Sequence, residues 1–412
     1  MLIAGAGDRG RRRVKRPIVG VVVGLALALG TAIGVLLATL APGQGASPSP
    51  SGSAVAASVE PSSSPPAEPT SPPTPTPRPT ATPSPTPVPT PPPVEAPLTG
   101  RLVPPATAQR HVIAVMVDDL SRARPQSGFN AASIVWHAPA EGGIPRYMLL
   151  FQDRVPDSVG PVRSARQYYI AWAAEWQAMY VHVGGSPQAL RTLRDDGQGE
   201  LVYDADEFRW GGRYLWRTTD RFPPHNVYSD GEHLYQLARR LGADAPPGEA
   251  AWQFAPEAPL ERRPQGGRIV VPYLANEITY RYDRRGNRYV RSVTGASPQV
   301  DRADGKVVAP KNVVVLFMSF SPLDDGHPEK KRLEADYVGS GRALIATNGR
   351  TIEGTWRKAA IDKPTLLFDA DGRPITLSVG QTFVQVVETG TTVTVSAGKA
   401  VPRDPGSIAN PY

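Results

Sequence analysis

The runs HVIAVMVDD (111–119), ASIVWHA (132–138), RYMLLFQ (146–152) and MYVHVGG (179–185) decide the fold class. Each is a short apolar stretch, rich in β-branched and aromatic residues and closed by polar or glycine positions, which predicts a strand. Helical stretches lie between and after them. Residues 161–177 read as a helix, with Pro161 suited to a first helical position. Ser186-Pro187 starts a shorter one, and Ser229 with Glu232 forms a capping box ahead of HLYQLARRL (233–241). Strands mixed with helices predict a mixed α/β domain over residues 105–245.

Moving toward the C-terminus, the pattern changes. EITYRY (277–282), RYVRSV (288–293), NVVVLFMSF (312–320), RALIAT (342–347), ITLSV (375–379), TFVQVV (382–387) and TVTVS (392–396) all read as strands. Turn signals separate several of them: Arg285-Gly286-Asn287, Asp304-Gly305, Asn348-Gly349 and Asp371-Gly372. Residues 272–400 are therefore expected to form a mainly antiparallel β domain, joined to the first by a Pro/Gly-rich connector at 246–271 and followed by a tail at 401–412. The fold class is α+β, with room for two domains, each with its own core.

Moving toward the N-terminus, residues 18–41 run for 24 positions without a charge. At ~1.5 Å per residue this makes a helix of about 36 Å, enough to cross a hydrocarbon core of about 30 Å. Arg9, Arg11, Arg12, Arg13, Lys15 and Arg16 precede it against one acid, Asp8. The positive-inside rule keeps such a segment, residues 1–17, in the cytoplasm and puts everything after residue 41 outside. An uncleaved anchor is the favoured reading, and a signal peptide cleaved after Ala41 is its rival. Pro42 to Pro97 holds 20 prolines in 56 residues among Ser, Thr and Ala. No core is available there, so residues 42–104 are expected to be a disordered, extended stalk.

Charge and cysteine content narrow the function classes. Of 45 basic and 38 acidic residues in the chain, removing those in the tail leaves 39 and 37, so the net charge of +7 reflects the tail. A nucleic-acid protein would carry its excess on the folded part, so no nucleic-acid partner is expected. The absence of cysteine excludes disulfides, thiolate metal sites and a thiol nucleophile. HExxH, Walker, GxSxG and dinucleotide motifs are missing, and no metal or cofactor is expected.

Polar residues collect at the segment boundaries. In Gly160-Pro161-Val162-Arg163-Ser164-Ala165-Arg166, two arginines stand in what reads as the first turns of a helix, where a cation is disfavoured by a few tenths of a kcal/mol. Either an internal carboxylate such as Glu141 or Asp153 neutralises them, or they hold an anionic ligand. Ser164 belongs to the same segment. His182-Val183-Gly184-Gly185-Ser186-Pro187 is a second strand-to-helix junction, with Ser186 as cap, and Asp118 and Asp119 close the first strand nearby. In Pro223-Pro224-His225-Asn226-Val227-Tyr228, His225 is a candidate acid/base group.

The run RPQSGFNAASIVWHAPAEGGIPRYMLLFQ (124–152), GPVRSAR, VHVGGSP and PPHNVY resemble the YerB-like proteins of the bacterial envelope. NVVVLFMSF and GSGRALIATNGRTIEGTW are similar to that family's C-terminal part. The resemblance covers nearly all of residues 105–390. It implies an α/β part followed by a β-rich part, and it implies no reaction. Many relatives are lipoproteins acylated on a cysteine; here the apolar helix takes over the anchoring. The favoured function is a non-enzymatic extracytoplasmic protein that binds an anionic or polar ligand, such as a cell-wall glycan, or an envelope protein. Its ligand site would draw on Glu141, Arg146, Arg163, Ser164, Arg166, His182, Ser186, His225 and Asn226. The alternatives are an envelope hydrolase acting on a phosphate or glycan, with His182 or His225 as acid/base, and a scaffold in which the arginines are structural.

Overall fold

Strand β1 (Ile113–Asp118) is buried at every residue, as a continuous apolar run must be when both faces of its sheet are covered. The computed structural model describes residues 91–195, 200–248 and 250–401. The predicted cytoplasmic segment, membrane helix, most of the stalk and the tail from 402 lie outside the described residues. Among the described residues no helix is long and apolar enough to cross a membrane.

The sheet around β1 has ten strands. From the N-terminal part come β1, β2 (Ile134–Glu141), β3 (Ile144–Phe151), β4 (Met179–His182) and β5 (Tyr203–Asp206). A four-stranded sheet comprises β6 (Arg268–Pro272), β7 (Glu277–Asp283), β8 (Arg288–Val293) and the late strand Thr394–Ser396. The other half of the large sheet is β9 (Asn312–Met318), β10 (Gly339–Thr347), β11 (Arg350–Lys358), β12 (Leu366–Asp369) and β13 (Thr382–Glu388). The order is β12-β11-β10-β9-β13-β2-β3-β1-β4-β5. The second part of the chain is thus mainly antiparallel, with a parallel exception where β9 pairs with β13.

The two parts of the sequence do not close separate sheets. β13 pairs in parallel with β2, Thr382 opposite Ile134 and Gln385 opposite His137. The two cores lie on the two faces of this common sheet, and each draws on both parts. One face packs Trp136, Met148, Val314, Ile345 and Val384 under helices α1 (Gln167–Ala174) and α2 (Pro187–Asp195). The other packs Val115, Leu149, Val313 and Phe383 under α3 (Gly231–Leu241) and the four-stranded sheet. Sequence periodicity reports which strand is buried but not which strand it pairs with, so the expectation of one core per part fails here. α1 is buried all round, and Trp172 stacks on Trp136 at 4.5 Å.

Three local readings change. The segment 160–166 is extended, not helical. Val162 bridges Val117, Ala165 bridges Gly185, and Arg163 N–H donates to Met116 O. These sheet-like bonds replace the first helical turns, and α1 begins only after Arg166. Helix α3 is capped by Asp230, whose carboxylate accepts from His233 N–H, and Ser229 Oγ donates instead to Tyr214 O. Ahead of the boundary expected at residue 105, Val94–Glu95 pairs with Leu102–Val103, and Thr99 and Arg101 bind Asp153. In the connector, Gln253–Ala255 pairs with Thr376–Ser378. Ser186 does cap α2, accepting from Ala189 N–H at 3.3 Å.

Candidate functional site

Strands β1, β2, β4, β5, β9 and β13 run the same way, and β3 runs against them. Their carboxyl ends form one edge of the sheet, where Asp118, Glu141, His182 and Asp206 end their strands and Arg146 enters β3. Side chains at such an edge project beyond the last ladder bonds, which is why ligands collect there in open α/β sheets.

Glu141 is the centre of the largest charged cluster. Its carboxylate binds Arg146 at 2.8 Å and Arg166, with Arg332 at 3.5 Å. Arg332 also binds Asp325 at 2.6 Å, and Arg146 donates to Ser164 O at 3.0 Å. Burial would raise the Glu141 carboxyl, but Arg146 and Arg166 outweigh it and hold it below the usual range. Burial and the neighbouring Arg146 push the Arg166 guanidinium down to about 10, still charged at neutral pH. Arg163, similarly lowered by burial, faces a different carboxylate, Asp118, at 3.1 Å. Arg163 Nε lies 3.1 Å from Asp118 and Arg332 Nε 3.5 Å from Glu141, whereas the buried Nε–H of Arg166 donates no hydrogen bond among the described residues.

Asp118 also orients His225, Oδ2 to Nδ1 at 2.6 Å. His225 is 12% exposed in its side chain, and its Nε2 has no hydrogen-bond partner among the described residues. Asn226 is turned away, bound to Arg217 and Thr218 O. His182 is fully buried, and both ring nitrogens are taken, Nδ1 at Gly184 O (2.8 Å) and Nε2 at Asp204 (2.7 Å). The edge thus brings together Glu141, Arg146, Arg163, the Ser164 carbonyl, Arg166 and His225. His182, Ser186 and Asn226 sit beside it with their polar atoms committed to the fold. Among the described residues no group of metal-ligating side chains gathers.

Of a second polar network only Asp119 was read in the sequence. Asp119, immediately after β1, binds His137 Nε2 at 2.9 Å, Arg124 at 3.1 Å and the Asn276 amide. His137 Nδ1 faces Gln385 at 2.9 Å. Burial lowers the His137 ring below its ordinary value, so it is neutral at pH 7. It is the Gln385 Oε1 that lies against the Nδ1 of this ring, and the same oxygen accepts from Tyr273 OH at 3.3 Å. Arg291, wholly buried, donates to Tyr147 OH at 2.9 Å and Tyr280 OH at 3.2 Å. His137 interrupting an apolar strand was the visible signal; Asn276, Arg291 and Gln385, like Arg332, come from distant positions with no local mark.

Fold and edge together define a two-part α/β plus β protein with a cation-rich, carboxylate-buffered sheet edge. The chain belongs to the family described as protein of unknown function DUF3048, whose N-terminal domain matches residues 98–244 and whose C-terminal domain matches residues 269–384. It is 30% identical over 311 residues to YerB of Bacillus subtilis (strain 168), a protein provisionally named a lipoprotein, covering 74% of this chain and 89% of that one. The crystal structure of YerB from Bacillus subtilis is similar, with a TM-score of 0.65, 28% identity, and coverage of 74% of this chain and 99% of that one.

Proposed function

We propose that this chain is a membrane-tethered extracytoplasmic protein that binds, and does not turn over, an envelope ligand carrying an anionic group, held at the sheet edge around Glu141. The observation that carries this reading is the excess of guanidinium over carboxylate. Arg146, Arg166 and Arg332 meet two acids, Glu141 and Asp325, and the buried Nε–H of Arg166 is left without an acceptor among the described residues. Buried donors without partners are costly, and an anion's oxygens are the acceptors that would relieve them. The non-catalytic part rests on the candidate groups themselves: Glu141 is engaged by arginines and both nitrogens of His182 are bonded. The relative's lipoprotein name supports membrane association. This chain has no cysteine to acylate, so the apolar run 18–41 would serve as anchor.

Calorimetric titration of the full chain in detergent with phosphate, and with soluble wall fragments, tests the proposal. Saturable binding that Arg163→Ala, Arg166→Ala abolishes is the expected result; no binding of any of these by the parent chain overturns it. A hydrolytic reading retains one observation in its favour, the Asp118–His225 pair with its free Nε2. Release of phosphate or reducing sugar that is lost in His225→Asn would replace the binding reading with that one.

A further inference from the structure

A second charged surface lies at the opposite end of the sheet. Residues 261–288 hold seven arginines against Glu261, Glu277 and Asp283, in a folded part that is nearly neutral overall. Two of the seven are neutralised: Arg263 by Glu257 and Arg288 by Asp283. Among the described residues Arg262, Arg268, Arg281, Arg284 and Arg285 meet no carboxylate, and neither does Arg350 at the start of β11. Arg284 spends its donors on the carbonyls of Arg263 and Leu260; Arg262 and Arg268 are exposed and their side chains donate no hydrogen bond among the described residues.

Three of these unpaired cations, Arg262, Arg268 and Arg350, line a cleft of about 660 Å³. They stand on its walls with Arg263, which Glu257 neutralises, and the acid Glu261, and the segment from Val395 to Gly398 closes one side. The cleft sits beside the Asn348-Gly349 turn, at the amino end of β9, where Asn312 pairs with Thr347. Glu141 lies at the carboxyl ends, a strand length or roughly 20 Å away. The two sites are therefore separate, and the present inference does not depend on the reading of the first.

We infer that this cleft is a docking groove for a linear polyanion that carries no aromatic groups, such as a polymer with a phosphate at each repeat. Exposed guanidinium groups hold a lone anion weakly in water, but several along a groove act together on a chain of charges, releasing its counterions. The concave walls suit a strand of polymer better than a flat membrane surface. A single-stranded nucleic acid is held in large part by ring faces on which its bases stack. The two aromatic residues here are buried, with Tyr282 OH bound to Asn287 and Tyr289 OH accepting from Gly349 N–H, so no stacking platform is offered.

The test uses the full chain in detergent, in a background where Arg9, Arg11, Arg12, Arg13, Lys15 and Arg16 are glutamine, so that the tail holds no polymer. Long-chain inorganic polyphosphate is titrated at several salt concentrations and compared with oligothymidylate. Polyphosphate should bind, weakening roughly tenfold or more between 50 and 200 mM salt. The triple Arg262→Glu, Arg268→Glu, Arg350→Glu should lose at least tenfold in affinity, and the lysine triple, which keeps the charge, should retain most of it. Retained polyphosphate binding in the glutamate triple overturns the inference, as does tighter binding of oligothymidylate than of polyphosphate. Loss of polymer binding in Arg166→Ala, Arg332→Ala would also overturn it, because that result would place the polymer at the other edge. Should the glutamate triple fail to fold, loss of affinity in the single variant Arg268→Gln, with the fold checked by its melting transition, carries the same decision.

Discussion

The guanidinium of Arg166, 4% exposed, closes onto the Glu141 carboxylate at the far end of β2, while Arg163, three residues earlier, binds Asp118 instead. Two arginines that a helical reading would place on one face therefore serve two carboxylates, because the segment between them is extended. Removing Glu141 should then be costly. Glu141→Ala leaves Arg146, Arg166 and Arg332 without their shared acid, and breaking such a cluster costs about 3 kcal/mol. Urea unfolding should show this loss, and added sulfate should restore part of it in the variant.

Stability should fall as the solution is acidified, in two stages. Burial keeps His137 and His111 below the ordinary histidine value. Below pH ~6.5 the unfolded chain takes up protons that the folded rings refuse, so the folded state loses stability through this range. Asp119, Glu141 and Asp153 are held below the usual carboxylate range, against burial, by their hydrogen-bond donors and neighbouring arginines. Their contribution, present at neutral pH, is lost as the pH falls below ~4.5. Denaturant midpoints at pH 7.5, 5.5 and 4 should decline in that order; a higher midpoint at 5.5 than at 7.5 would contradict the assignment.

Residues 91–245, produced alone, should not give a cooperative thermal transition. Without β13 the edge of β2 is unpaired, and both faces of the sheet lose apolar partners such as Val384 and Phe383. A sharp transition near that of the whole chain would show that the first part folds by itself.

The strands were legible because burial writes itself into short apolar runs: Ile113–Asp118 and Asn312–Met318 stand out without any knowledge of their neighbours. The pairing of β2 with β13 was not legible, since Ile134 and Thr382 are 248 positions apart and carry no mutual mark. The site divides along the same line. Glu141, Arg146, Arg163, Arg166 and His225 announce themselves by charge at segment ends, whereas Arg332 reaches Glu141 only through the return of the chain. The helical reading of residues 161–166 failed because proline tolerance at a helix start is also tolerance of an extended segment, and the bonds to Met116 and Gly184 decided it.

A reporter fusion tests the topology read from the first 41 residues. An alkaline phosphatase joined after residue 100 should be active only where export occurs. A fusion at the same point to a reporter that functions only in the cytoplasm should be silent, and full activity there would exclude the arrangement.

The central claim, that the edge around Glu141 receives an anion, is tested most directly by the melting temperature of the full chain in phosphate against chloride at matched ionic strength. An anion that binds only the folded state stabilises it by mass action, and a gain of one kcal/mol raises the midpoint by about 2–4 °C in a body of this size. The account predicts a saturable rise of roughly 2 °C or more in phosphate, absent from Arg163→Ala, Arg166→Ala. Equal midpoints in the two salts for the parent chain, together with a large loss of stability in the double variant, would contradict it and leave the arginines as internal neutralisers of Asp118 and Glu141.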